Sequence, residues 1–194
     1  MDYTAAQQYI LEKLERELSP DLLYHDVQHT RRVLASLHMY IKEEGVDENH
    51  AKLLLVAGSY HDAGFLFRYN HNEPVAIQMI EEDLPRFGFT AQQIDFISEV
   101  IYSTQSDVAP RNKYEEIMND ADHDYFGTDG YYEIAGRLRK EMELFGKKYT
   151  DIQWAEKQYN YLLNVHRFYT DTAIKLRREK KYLIIRELKH KILQ

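Results

Sequence analysis

His61 and Asp62 stand side by side where an apolar run, LLLVAGSY, ends and just before Gly64. A buried imidazole next to a buried carboxylate is costly unless something compensates both groups, and a metal ion does so. One divalent cation needs several ligands, and His29 and Asp122, from two other segments, complete a set of two imidazoles and two carboxylates with that pair. The chain has no cysteine, which excludes disulfides and thiolate zinc modules and leaves nitrogen and oxygen as ligands. Asp120 competes with Asp122 for the last position. Two residues apart on a helix they diverge by about 200°, so both cannot easily reach one ion. His71 and Glu73 follow the His-Asp pair closely and are candidates for the same cleft, the first as a substrate contact and the second as a base or water-orienting group.

The stretches YHDVQHTRRV, YHDAG and NDADHDYFG, in that order, resemble the HD superfamily of metal-dependent phosphohydrolases, whose ligands run His, His-Asp, Asp. NEPVA after the pair and RLRKEM after the last aspartate are similar to motifs of a little-characterised bacterial group of predicted HD phosphohydrolases, so the likeness spans nearly the whole chain. It implies an all-α HD-domain bundle around the metal, with additional C-terminal helices, in which a metal-activated water attacks a phosphorus centre. It also selects Asp122 as the last ligand, since Ala121-Asp122 matches the alanine-aspartate pair of many HD proteins. Asp120 then remains as the fallback or as an acceptor that orients a histidine. In related phosphodiesterases a histidine four residues before the first ligand gives a proton to the leaving oxygen. His25 holds that place one helical turn from His29, followed by Asp26 where the family pattern has asparagine. HD enzymes with two metals contribute two further histidines before the last aspartate. Only His71 lies between Asp62 and Asp122, so one metal is expected. Arg32, one turn from His29, and Arg139, within RLRKEM, are the candidate phosphate forks.

Helical spacing supplies the elements that must carry these groups. Ala6, Tyr9, Ile10, Leu14 and Leu18 fall on one face of a first helix that Ser19-Pro20 ends. A second helix is expected from Asp26 to Glu44, with Val33, Leu34, Leu37 and Tyr40 inward and Gly45 at its end. Asp47 can cap a third, nearly all-apolar helix over Ala51–Tyr60 that delivers His61 and Asp62. Further helices are expected from Glu73, with Pro74 in the first turn, and from the capping boxes Thr90–Gln93 and Thr150–Gln153. A loop from Ser103 to Asn112 precedes a short helix bearing both aspartates. Helices over Tyr131–Leu144, Asp151–Phe168 and Glu179–Ile192 complete the chain, and no segment alternates like a strand.

At 194 residues, with 44% hydrophobic and 29% charged side chains, the chain reads as one folded domain over 1–194. The opening MDYTAAQQYI lacks the pattern of a secretory signal and no apolar run is long enough to span a bilayer, so a cytoplasmic address is the default expectation. A net charge of −7 argues against nucleic acid or a membrane surface as partner. Most of the 16 tyrosines sit at helical spacing with apolar residues and are expected in the core. The basic run Lys175, Arg177, Arg178, Lys180 and Lys181 reads as a solvated helix face, and His123 and His166 read as packing residues.

Together these readings give a single-metal enzyme hydrolysing a phosphate ester of a nucleotide or similar small metabolite, as a phosphomonoesterase or phosphodiesterase. Mn or Fe is the first expectation for the ion, with Mg, Zn, Ni and Co also fitting. The alternative is a non-catalytic HD module that binds a nucleotide and signals through a partner. Homo-oligomerisation is compatible with either.

Overall fold

Leu53 to Tyr60 are all buried, so the third helix is wrapped on every side and the rest of the chain is arranged around it. A computed structural model describes residues 1–194 as nine α-helices without strands. They are α1 (Tyr3–Glu17), α2 (Val27–Glu43), α3 (Glu48–Tyr60), α4 (Glu73–Asp83), α5 (Ala91–Tyr102), α6 (Lys113–Asp122), α7 (Tyr131–Leu144), α8 (Asp151–Asn160) and α9 (Asp171–Ile192). α1, α2 and α5 pack directly on α3, and α6 packs on α2. The buried apolar side chains form one connected cluster from Ala6 in α1 to Leu188 in α9. No helix is long and apolar enough to cross a membrane.

Local chemistry sets most helix starts. Asp26 and Asp47 accept backbone N–H groups at the heads of α2 and α3, satisfying donors that have no partner within the helix. Both expected capping boxes form, at Thr90–Gln93 and Thr150–Gln153. α3 starts three residues before the expected Ala51 because its cap is Asp47 itself. Leu34, expected inward, is half-buried.

The C-terminal third departs from its periodicity. α8 stops at Asn160 rather than running to Phe168, and passes into a π-helical turn, Tyr161–Val165. α9 begins at Asp171, eight residues before the expected Glu179. The reason lies outside the segment: buried Asp120 accepts the N–H groups of Tyr169 and Thr170 and the Thr170 hydroxyl, which holds Tyr169 and Thr170 just ahead of α9 as Thr170 caps it. The basic run is likewise not one solvated face. Arg177 forms a two-pronged ion pair with Asp124, Lys180 meets Asp129, and Lys181 is buried.

After His61 and Asp62 the chain turns through a 3₁₀ segment, Ala63–Leu66, and returns to α4 past Gly64. A Cβ at Gly64 would collide with the backbone carbonyl of Asn72, so the return loop lies directly on this glycine. Gly64→Ala is therefore expected to lower unfolding free energy by about 1–3 kcal/mol, as overpacking against backbone does. Urea denaturation measures it, and an unchanged midpoint would show that the loop is free to move away.

Candidate metal centre

Three helix ends converge on one point. Asp26 caps α2 by accepting the His29 N–H at 2.7 Å, which sets His29 in the first turn with 3% of its surface exposed. α3 ends at Tyr60 and hands over His61, 1% exposed, and Asp62. α6 ends on Asp122. The His61 Nδ1–H donates to the Gly58 carbonyl at 2.9 Å, leaving the Nε2 lone pair to face the centre.

The His29 Nε2 lies 3.2 Å from His61 Nε2, 3.2 Å from Asp62 Oδ2 and 3.1 Å from Asp122 Oδ1. The His61 Nε2 lies 3.2 Å from Asp62 Oδ2 and 3.6 Å from Asp122 Oδ1. Donors about 2.0–2.2 Å from a common ion are separated by roughly 3–3.5 Å, so these are the edge lengths of a coordination polyhedron. His29, His61 and Asp122 form the compact group that can hold a metal ion, and Asp62 joins it by touching both imidazoles. In the metal-free chain the four groups restrain one another as ions. Burial pushes His29 and His61 down, but Asp122 and Asp62 more than offset it and both imidazoles end above their ordinary value. Burial pushes the two aspartates up, yet the surrounding imidazoles, with His123 foremost at Asp122, hold them well below the carboxylate range.

Asp120 turns the other way, as its position two residues from Asp122 implies. It touches no histidine and spends its oxygens on Tyr169 and Thr170. Burial raises its carboxyl to about 6 despite those hydrogen bonds.

The cluster opens into a cleft of about 270 Å³, whose wall includes His25, Phe65, His71, Glu73, Ser106 and His123. His25 lies before the Asp26 cap rather than one helical turn from His29, because α2 starts only at Val27. What holds it is Glu141 from α7, fully buried. Glu141 accepts His25 Nδ1–H at 2.5 Å and the backbone N–H groups of Tyr24 and His25 at 2.7 and 2.9 Å. The His25 ring stacks on Phe65 with centroids 4.1 Å apart. Its other ring nitrogen is left for the cleft. His25 draws the Glu141 carboxyl below its ordinary value against the upward push of burial. Glu73 is half-buried in the first turn of α4, and His71, exposed, adopts the left-handed φ of 52° that few non-glycine residues take.

Two expected phosphate forks are elsewhere. Arg139 binds Asp151 at 2.7 Å and the Tyr149 carbonyl at 2.6 Å, and lines a separate cavity of about 490 Å³, which contains none of the cluster. Arg32 leans toward the Asp26 cap at 3.9 Å and is not part of the cleft wall. The residue of RLRKEM that reaches the cleft residues is Glu141. It was detectable as an acid three residues after Leu138, on the stripe where Ala135, Leu138 and Met142 turn inward. His123, read as packing, lines the cleft beside Asp122, and Ser106 comes from the loop before α6.

Asp122→Asn is expected to remove most bound divalent metal, measured by elemental analysis. Asp120→Asn should keep the metal but lose about 1–3 kcal/mol of stability, since an amide presents donors to donors; full metal in the Asp122 variant would reject the ligand assignment. For the chelated protein, the raised imidazoles contribute stability in full below about pH 6.5, lost as pH rises through their folded values. The depressed aspartates contribute above about pH 4, lost as pH falls further. Saturating Mn(II) should turn the alkaline decline into a gain, because ligation needs neutral imidazole. Thermal melts across pH, with and without metal, test this, and identical curves would contradict it.

No family model matches the sequence and no curated protein does. The fold is similar to the crystal structure of a Lactobacillus plantarum protein solved as a Northeast Structural Genomics target. The TM-score is 0.69 at 20% identity, over 97% of this chain and 94% of that one, which shows a shared fold and nothing about activity.

Proposed function

We propose that this chain is an HD-type, metal-dependent phosphohydrolase acting on a phosphate ester of a nucleotide or related small metabolite. The observation that carries the reading is the meeting of His29, His61 and Asp122 in one metal-capable group, with Asp62 against both imidazoles, in an open cleft beside a histidine held by a fully buried glutamate. A donor set of two nitrogens and two carboxylates, without sulfur, suits a first-row divalent ion, Mn or Fe first, and Mg, Zn, Ni or Co by the same donors. Such an ion lowers the pKa of water and offsets phosphate charge.

The chain's own residues account for the remaining tasks. Glu141 fixes the His25 tautomer with the proton on Nδ1 and orients the ring, so that its Nε2 is placed to exchange a proton with a departing oxygen. Phe65, flat against the ring, restricts its rotation. Glu73 and His71 stand at the rim where a water or substrate hydroxyl would be oriented. The cleft continues past His25 into a chamber of about 380 Å³ with Tyr125, Phe126, Leu138, Met142 and Tyr161 in its wall, which would receive an apolar or planar leaving group. A module that only binds a nucleotide has no need for the paired His25 and Glu141, which favours catalysis over that alternative.

The test is release of phosphate or alcohol from a panel of nucleotides and other phosphoesters with each divalent ion in turn. His61→Ala and Asp62→Ala should abolish turnover together with metal content. Nucleotide binding with persistent inactivity across the panel would favour the regulatory module. Glu141→Gln should keep the metal yet lower kcat by about 10²-fold or more, the usual worth of general acid catalysis, and should change the pH profile. An unaltered profile would remove His25 from the chemistry.

A further inference from the structure

A second cavity, of about 310 Å³, lies between the π-helical turn and α9, apart from all four candidate metal ligands. Three cations line it, Arg167, Arg178 and Lys181, and no acidic residue does. None of the three forms an ion pair with a carboxylate, although the chain carries 32 acidic against 25 basic residues. Arg167 and Arg178 are exposed at the rim, but Lys181 is only 7% exposed. Its ammonium donates to the His166 carbonyl at 2.6 Å and rests 5.6 Å from the centroid of the Phe168 ring. That single hydrogen bond uses one of three protons.

A buried ammonium without a counter-charge is expensive, and burial alone draws Lys181 down to about 8. An apolar residue of the same length would fill the space at less cost. A lysine there, in a cavity that is also lined by Arg178 and by Arg167, whose guanidinium lies over the Tyr169 ring but meets no carboxylate, is explained by an anion that enters. Apart from His166 the rest of the wall is aliphatic or aromatic, with Leu162, Phe168, Ile174 and Ile185 among its residues.

We infer that this cavity is a binding site for a small amphipathic anion, with a phosphate or carboxylate head against Lys181, Arg178 and Arg167 and an apolar body against Phe168 and Ile185. The site does not depend on the proposed hydrolysis. It is built from the segment where α8 unwinds early, and the same π-helical turn presents Tyr161 toward His123 and the metal cleft.

The experiment is titration calorimetry on the full chain in chelator, so that the metal centre makes no contribution, with phenylphosphonate, benzoate and inorganic phosphate as probes. The carbon–phosphorus bond keeps the first probe intact. Saturable binding is expected for phenylphosphonate, tighter than for inorganic phosphate. Benzoate reports whether a carboxylate head serves equally. Lys181→Met and Arg178→Gln should each weaken phenylphosphonate by about tenfold or more, the order for a lost charge-assisted hydrogen bond. Lys175→Gln, an exposed cation on α9 outside the cavity, should leave it unchanged. Absence of saturable binding, undiminished binding in Arg178→Gln, or equal weakening in Lys175→Gln would overturn the site. Arg178 is exposed and unpaired, so its variant decides the matter even if Lys181→Met folds poorly.

Discussion

Two imidazole nitrogens 3.2 Å apart, both nearly inaccessible to water, cannot face each other with lone pairs alone. Something positive must lie between them, whether protons shared with Asp62 and Asp122 or a cation, and the architecture follows from that constraint. α3 is sheathed in apolar side chains up to Tyr60 so that His61 arrives desolvated. The Gly58 carbonyl fixes which nitrogen looks inward. The Asp26 cap fixes where α2 begins and therefore where His29 points. Each is an ordinary local hydrogen bond, and together they leave little orientational freedom to be lost on binding an ion.

The cleft also divides its labour by polarity. Toward the cluster the walls carry carboxylates and imidazoles; beyond His25 they become phenolic and aliphatic, with Tyr125, Phe126 and Met142. His25 stands on the boundary and lines both parts.

Much of this was legible in the sequence, for physical reasons. The His-Asp pair after an apolar run, the aspartate caps and the two capping boxes are local statements, fixed by residues within a few positions, and α7 spans the expected Tyr131–Leu144. What escaped depends on partners far along the chain. RLRKEM offers two arginines and one glutamate of equal prominence, and only the approach of Tyr24 and His25, more than a hundred residues earlier, brings Glu141 to the cleft. The periodicity of Tyr159 to Phe168 suits a continuous helix, yet Asp120 breaks it by claiming two backbone donors. Lys181 shares a helix face with solvated neighbours by composition, and its burial comes from α9 lying under the π-helical turn.

Asp120 and Asp122 sit on one short helix and serve two ends of the molecule. The first is tied to the chain entering α9, the second to the candidate metal centre, and a single residue of rigid backbone, Ala121, separates them. The C-terminal helix is thus a splint for the site rather than an appendage. Any event that lifts α9 from its seat strands a buried carboxylate without its donors and loosens the end of α6, so damage at the far terminus would be felt first as a misaligned ligand.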